Sequence, residues 1–516
     1  MSHGSPPTRR TFLKALAASG AGTFAFLNQS GQGLTAGSIV PFGVGRARAA
    51  APSAKYVFIY LEGGVCGDAT FDPKFFAELR RASGPSLGAM GLAPESSIGG
   101  VTLPGYAQVE LARSTPIPRS HNVGDPKYTP PIFSQNGIQL GFAAEPLLDH
   151  TRAMTLVRGV TIVPEHGIAT RTLWTSQDFQ ASSPRATIDC LVAARVNGDL
   201  LFPHLHGLRS AYVPLGIPAT AIQVPFPLHF TRGAQYEAAI LTPLTTAFSP
   251  KHPAYVGEDA TKAVNAFVTQ SSAAQLEALQ NPANADLLQG ISGYTRILER
   301  INQSEVGDAL RTGIDDFIQR ASRSISLVGS LEQFNIDQVV AAFGMIATAF
   351  NQNLSSVATM NIANGGFDAH SGIWTNQGQW YRMVMHALSF FLKTVDLSTT
   401  NVVVMTDFTR APIMNARAGR DHGGSTYYAL FGPIGQNRVF GATDDFQDPL
   451  PVDPKTGQPT GGGSGMRMVP AHINALLLEM AGYLPGREIQ SQLGNVSTPD
   501  GPILQAPDFL RDLIPS

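Results

Sequence analysis

Short apolar runs, each ended by glycine or by an acidic residue, place the strongest limit on how this chain folds. Three of them are Lys55–Gly64 (KYVFIYLEGG), Val357–Ile362 (VATMNI) and Asn401–Asp407 (NVVVMTD). Runs of this length, rich in β-branched and aromatic residues, predict buried strands. An amphipathic helix pattern over Gly378–Asp396 separates the last two. Strands alternating with helices predict a three-layer α/β/α fold with a mainly parallel central sheet.

Other patterns extend the same architecture along the chain. Met154–Val163 and Tyr427–Pro433 are further predicted strands because both are mostly apolar and rich in β-branched or aromatic residues. Proline is favoured in the first turn of a helix and glycine just past its end. We therefore predict that Pro470 begins the last helix of the chain and that Gly482 ends it.

We predict one large α/β domain over residues 50–516, with two insertions. The segment from about residue 80 to about residue 150 is rich in Gly, Pro and Ser, which predicts a loop-rich insertion. Residues of about 258–350 carry apolar side chains at three- and four-residue spacing, which predicts a helical insertion.

The first 49 residues have the pattern of an export signal. Arg9 and Arg10 precede Phe-Leu-Lys, a mildly apolar stretch from Ala15 to Leu27 follows, and residues 47–49 read Ala-Arg-Ala. The pattern predicts a twin-arginine signal, with the twin-arginine translocation machinery as a partner and a periplasmic or secreted location. The apolar stretch is too short for a stable membrane span. The alternative, an ordinary amphipathic helix, remains open.

Composition excludes some classes of function. The net charge is −2, which gives no electrostatic basis for binding nucleic acid. The two cysteines, Cys66 and Cys190, form no CxxC motif, so the sequence contains no thiolate-rich zinc motif. They either pair in an oxidising compartment or remain two separate buried thiols.

Acidic and histidine residues follow three of the predicted strands. Parallel strands open their carboxyl-end loops at one edge of a sheet, so these side chains are expected to meet there. Carboxylate and imidazole groups bind divalent metals such as zinc, manganese, calcium or magnesium. Taken singly, each residue has a structural alternative, such as capping a turn or pairing with an arginine. The candidate metal ligands are Glu62, Asp368, His370, Asp407, Asp421 and His422.

A further candidate region follows the predicted strand Met154–Val163. His166 follows it and is a candidate catalytic residue, and Thr170 is a candidate nucleophile near a metal. Arg410 is a candidate for binding a small anionic substrate through its guanidinium. The alternatives are an ordinary helix start for His166 and Thr170, and a surface ion pair for Arg410. A separate H-x-H motif containing His204 is a weak metal motif in a Pro-rich segment.

Several motifs in order along the chain resemble the exported bacterial proteins grouped as domain of unknown function 1501. They are the twin-arginine signal, LEGG with ATFDPK, VRGV with EHGIATR, GGFDAH, VVVMTDFTRAP with GRDHGG, and VFGATDD. The resemblance implies an alkaline phosphatase-like sheet, shared with the alkaline phosphatase and sulfatase superfamily. It implies an exported metal-dependent hydrolase acting on a phosphate or sulfate ester. The alternative is a non-catalytic envelope scaffold, or an anion- or ligand-binding protein with a degenerate metal site.

The chain departs from the superfamily pattern at three points. Glu62 stands where an aspartate is usual, and Phe408 stands where the superfamily has a histidine ligand. Asp368 and His370 are also closer together in the sequence than the usual acidic–histidine pair. These departures favour one metal, or none, over two.

Overall fold

A computed structural model describes part of the chain. The described residues are 54–73, 96–98, 101–103, 132–177, 186–196, 200, 204–207, 228–229, 304–325, 336–362, 367–368, 370, 373–414, 420–444, 447–461, 464–494, 496–498 and 501–515. The predicted export signal, most of the loop-rich insertion, and residues 258–303 of the helical insertion lie outside them. The chain divides into two compact units, one of residues 1–48 and 232–311 and one of 49–231 and 312–516. The central sheet and the sites below belong to the second unit.

Short strands and helices alternate along the described residues. The strands are β1 Lys55–Leu61, β2 Ser96–Ile98, β3 Val101–Leu103, β4 Ile132–Gln135, β5 Ile138–Gly141, β6 Met154–Thr161, β7 Leu205–Gly207, β8 Leu228–His229, β9 Val357–Ile362, β10 Thr400–Thr406, β11 Arg410–Met414, β12 Arg420–His422, β13 Ser425–Phe431, β14 Arg438–Phe440, β15 Ser497–Thr498 and β16 Gly501–Pro502. The helices are α1 His166–Thr175, α2 Ile188–Val196, α3 Ser304–Ile325, α4 Ile336–Asn351, α5 Ile373–Thr394, α6 Pro470–Met480, α7 Arg487–Leu493 and α8 Asp508–Arg511. Two 3-10 helices span Phe142–Ala153 and Gly432–Ile434.

The central sheet is mainly parallel. Its eight strands lie in the order β14–β6–β13–β10–β1–β9–β7–β8. β1 pairs in parallel with β9 and β10, and the pairs β9–β7, β7–β8 and β14–β6 are also parallel. Only β13, among the described strands of this sheet, runs antiparallel to its neighbours, β10 and β6. The mixed α/β class with a mainly parallel sheet is therefore confirmed.

The central strands of the sheet are buried because helices pack on it. Every residue of β10 is buried, as are all residues of β1 after Lys55. On one face, Phe58 and Tyr60 of β1 pack near Trp174 of α1, with ring centroids 6.2 and 5.9 Å apart. The same apolar core includes buried residues of α2 and α6. Such alternating large side chains are typical of a sheet face covered by helices.

A second group of helices packs together without sharing that core. α5 contacts both α4 and the 3-10 helix Phe142–Ala153, and α4 contacts β9. Phe343 of α4 stacks on Phe391 of α5, with ring centroids 4.7 Å apart. None of the described helices combines the length and the apolar character needed to cross a membrane.

The predicted strands are confirmed with small shifts at their ends. The helix that begins at Pro470 is also confirmed, but the prediction that it is the last one is wrong, because α7 and α8 follow. These are short helices of seven and four residues, and too few turns are present for the apolar spacing to be recognised. Cys66 and Cys190 are both buried and unpaired thiols, so the disulfide alternative is excluded in this structure.

Candidate metal centre

The ends of three strands meet at one edge of the sheet. β1 lies between β9 and β10, and Leu61 is in register with the last residue of each. Glu62 and Asp407 directly follow β1 and β10, and the chain after β9 leads to Asp368. The parallel pairing therefore brings these loops to the same edge, as the sequence predicts.

Four side chains at this edge bring their ligand-type atoms together. This histidine cluster consists of His166, Asp368, His370 and His422, with one donor atom of each within 4.8 Å of the others. Nε2 of His370 lies 3.0 Å from Nε2 of His422 and 3.3 Å from Oδ1 of Asp368. Nε2 of His166 lies 3.5 Å from the same carboxylate oxygen.

In each of the three imidazole rings, Nδ1 lies within hydrogen-bonding distance of an oxygen atom outside the histidine cluster. Nδ1 of His166 lies 2.6 Å from Oδ2 of Asp407, and Nδ1 of His370 lies 3.2 Å from Oδ1 of Asp421. Nδ1 of His422 lies 2.8 Å from the backbone oxygen of Pro164. Because these oxygens accept hydrogen bonds, each Nδ1 is the donor, and a neutral ring then presents Nε2 as a lone pair.

This donor set fits a zinc ion. Zinc–nitrogen bonds of about 2.0–2.1 Å in a tetrahedron place the ligand atoms about 3.3 Å apart. The separations of 3.0, 3.3 and 3.5 Å within the histidine cluster match that spacing. Three imidazoles and one carboxylate are typical zinc ligands, and an oxygen acceptor behind each histidine is typical of metal-bound imidazole.

Burial, hydrogen bonds and neighbouring charges shift the pKa values of three residues in the histidine cluster. Burial lowers the pKa of His166, but its hydrogen bonds to Asp368 and Asp407 outweigh this effect and raise the pKa to about 9. The hydrogen bond to His166, supported by Arg410, holds the pKa of Asp368 well below its usual range. Burial lowers the pKa of His422, and the charges of Arg410 and His166 lower it further. The metal-free cluster therefore holds a proton at His166 that a metal ion must displace.

We expect His166 to titrate near pH 9 in the metal-free protein. Since this pKa lies above the ordinary value of 6.5, the stability from ionised His166 is complete below pH 6.5 and is lost as the pH rises through about 9. NMR of the histidine side chains across this range measures the pKa. In Asp407→Asn the pKa of His166 is expected to fall toward its ordinary value because a charged acceptor is lost.

His150 provides the internal control for that titration. Burial lowers its pKa to about 4, and its Nε2 lies 3.1 Å from the hydroxyl oxygen of Ser389, which is not part of the histidine cluster. Asp407→Asn should leave its signal unchanged. A wild-type His166 that titrates near 6.5 would contradict the geometry of the cluster.

Asp407 is not one of the four clustered residues but contacts one of them, His166. Its carboxylate is fully buried and accepts hydrogen bonds from the backbone nitrogens of Gly63, at 3.2 Å, and Phe408, at 3.1 Å. The Thr406 hydroxyl also donates to Oδ1, at 3.1 Å, and Oδ2 lies 2.6 Å from Nδ1 of His166, so Asp407 orients that ring. Phe408 stacks on His422 with ring centroids 4.2 Å apart. Phe408 therefore forms an apolar wall of the cluster.

Arg410 connects the loops that form the histidine cluster. Its side chain is fully buried, and it donates to the backbone oxygens of Gly63, Gly64 and Arg420 and to the carboxylate of Asp368. Its Nη1 also lies 3.4 Å from Nε2 of His370. With its donors used in this way, Arg410 positions Asp368 and is not exposed to a substrate in solution.

The other candidate residues lie around the histidine cluster or outside it. Asp421 is exposed and contributes through its contact with His370. Glu62 is buried directly after β1 and is not one of the four clustered residues. Thr170 is fully buried in α1, and its hydroxyl lies 2.7 Å from the hydroxyl of Tyr60.

Two features of the site depend on contacts between distant segments of the chain. The Pro164 carbonyl that orients His422 carries no sequence signal, because any residue offers a backbone oxygen. Gly63 does have a sequence signal, the Gly-Gly pair after β1, which predicts the end of the strand but not the contact with the Asp368 loop. It has a φ of +114°, and a Cβ at this position would lie 2.5 Å from the backbone nitrogen of Asp368. Glycine therefore permits the close approach of the two loops.

Fold and site together define a mixed α/β protein with a potential metal centre at the carboxyl edge of its sheet. A model of the family described as "Protein of unknown function (DUF1501)" matches residues 335–455. This segment contains three of the four clustered residues, together with Asp407 and Arg410. The match supports the resemblance to that family. A search of curated proteins finds no match to the chain.

Proposed function

We propose that this chain is an exported, zinc-dependent hydrolase of phosphate or sulfate esters. One observation carries the proposal: three imidazole Nε2 atoms and one carboxylate oxygen converge. The Nδ1 of each ring lies within hydrogen-bonding distance of an oxygen acceptor. The proposal includes export by the twin-arginine machinery through the predicted signal, a periplasmic or secreted location, and a three-layer alkaline phosphatase-like sheet.

The residues of the histidine cluster have separate tasks in this proposal. His166, His370, His422 and Asp368 hold the metal, while Asp407 and Asp421 keep two of the rings in the ligand tautomer. Arg410 holds the Asp368 loop against the loop after β1. A divalent cation bound here would supply a Lewis acid that polarises an ester oxygen and attracts a small anionic substrate.

Water is the better candidate for the nucleophile than Thr170. The hydroxyl of Thr170 is fully buried and hydrogen-bonded to Tyr60, so a substrate at the sheet edge has no access to it. His370 and Asp368 are each partly exposed, with side-chain exposures of 45% and 47%, so solvent and substrate reach the histidine cluster from their side. Hydrolysis by direct attack of water fits this accessibility.

A non-catalytic metal-binding envelope protein is the second candidate. It is favoured by the count of protein donors, because four already complete the tetrahedral set typical of structural zinc sites. Catalytic zinc sites usually keep one position open.

Metal removal from the purified exported chain separates these functions. The hydrolase is expected to turn over an aryl phosphate or an aryl sulfate, to lose this activity on dialysis against a chelator, and to regain it when zinc is added. Zinc bound at the histidine cluster without turnover of either ester across a panel of divalent metals would favour the second candidate. A chain that binds no zinc at this cluster would exclude both.

A further inference from the structure

A second group of potential ligands lies in the core and shares no residue with the histidine cluster. This buried cluster consists of Asp189 and Cys190 in α2 and His204 just before β7, with one donor atom of each within 4.8 Å of the others. Their exposures are 1%, 0% and 0%. Residues from a helix and from the sheet thus place sulfur, nitrogen and oxygen donors together in a dry environment.

Hydrogen bonds hold His204 with one nitrogen toward the thiol. Nε2 of His204 lies 2.9 Å from Oγ1 of Thr359, and the Thr359 hydroxyl donates to Oδ2 of Asp189 at 2.7 Å. Since that hydroxyl hydrogen is given to Asp189, Nε2 of His204 is the donor to Thr359. Nδ1 of a neutral ring is then a lone pair, and it lies 3.9 Å from Sγ of Cys190.

The spacing and the charge of the buried cluster suit zinc. Bond lengths of about 2.3 Å to sulfur and 2.0–2.1 Å to nitrogen place the two ligand atoms about 3.6 Å apart in a tetrahedron. The 3.9 Å between Sγ and Nδ1 is a few tenths of an ångström longer. A thiolate and a carboxylate together neutralise a dication, so the occupied site carries no net charge into the core. Thiolate selects zinc over magnesium, calcium and manganese.

We propose that Asp189, Cys190 and His204 form a second zinc site, with Thr359 holding His204 in the ligand tautomer. On loading, the Cys190 thiol loses its proton to solvent, and the thiolate forms the sulfur–zinc bond without any redox change. The metal joins α2 to the strand edge formed by β7 and β9. This second site has no part in ester hydrolysis, so zinc binding there can be tested independently of the proposed function.

Cobalt substitution tests the site because cobalt bound to a thiolate has a near-ultraviolet charge-transfer absorption that nitrogen and oxygen ligands do not produce. The full chain is produced in cobalt-supplemented medium, so that metal enters as the protein folds. We expect the wild-type protein to show this band and to hold two metal ions per chain. Cys190→Ser is expected to lose the band and one metal ion.

The matched control is Cys66→Ser. Cys66 is also fully buried and unpaired, and these two are the only cysteines in the sequence. A band that persists in Cys66→Ser therefore belongs to Cys190, even if Cys190→Ser fails to fold. His422→Ala, which removes a ligand of the histidine cluster, is expected to keep the band and lose the other metal ion. Absence of the band from the wild type, or its loss in Cys66→Ser alone, would overturn the proposal and leave the buried cluster as a hydrogen-bonded relay only.

Discussion

Replacement of Asp368 by alanine is expected to weaken zinc binding at the histidine cluster by at least about 100-fold, because losing even an outer partner of a metal ligand costs about 10–100-fold. Asp368 is the only clustered residue that carries a negative charge, and Oδ1 faces both His166, at 3.5 Å, and His370, at 3.3 Å. Without it, three neutral or cationic imidazoles remain beside Arg410, whose positive charge opposes a dication. Competition with a chromophoric chelator measures the affinity.

The matched control for this prediction is Asp149→Ala. Asp149 is an exposed carboxylate that pairs with Lys393 at 2.7 Å and is not part of either cluster. It should leave zinc affinity and ester turnover unchanged. If Asp368→Ala bound zinc at the histidine cluster within tenfold of the wild type, the assignment of Asp368 as a ligand would be wrong. If zinc binding and turnover fell together, the metal and the reaction would be linked to one site.

Replacement of Arg420 by methionine is expected to destabilise the protein by about 3–5 kcal/mol, the usual cost of removing one partner of a buried ion pair. Nη1 of Arg420 lies 2.6 Å from Oδ1 of Asp68, and both side chains are fully buried. The variant leaves the Asp68 carboxylate in the core without this cation. Denaturant unfolding, followed by tryptophan fluorescence and circular dichroism, measures the loss.

A second substitution tests the cause of that loss. In Arg420→Met combined with Asp68→Asn, the uncompensated charge is gone, so much of the lost stability is expected to return. Arg438→Met is the matched control, since Arg438 is largely exposed and lies 3.9 Å from the exposed Asp512. It should cost no more than about 1 kcal/mol. Equal losses in Arg420→Met and Arg438→Met would show that the buried pair adds no specific stability.

The strands could be predicted because their signal is local. The runs that contain Lys55–Leu61, Val357–Ile362 and Thr400–Thr406 are continuous, apolar and β-branched, and each is interrupted by a polar residue or glycine at its end. Helical patterns between such strands imply parallel pairing, which in turn places their carboxyl ends at one edge. The approximate location of Asp368, His370, Asp407 and His422 followed from that reasoning alone.

The roles of these residues within the site could not be predicted in the same way. Asp407 contacts Nδ1 of His166 across 241 positions of the chain, and nothing near either residue in the sequence indicates this partner. Arg410 was expected to meet an anionic substrate, but packing gives its donors to backbone oxygens and Asp368. The same packing places the hydroxyl of Thr170 against Tyr60.

The sequence by itself determined the class of fold, the edge of the sheet where the candidate site residues meet, and the types of side chain that meet there. Strand period and apolar composition are properties of neighbouring residues, so they can be read before the chain is folded. Only the tertiary structure decided which atom each histidine presents, which carboxylate orients a ring, and that His204 lies beside Cys190 in the core. These outcomes depend on contacts between distant segments, and a buried polar atom takes whichever partner the packing brings within hydrogen-bonding distance.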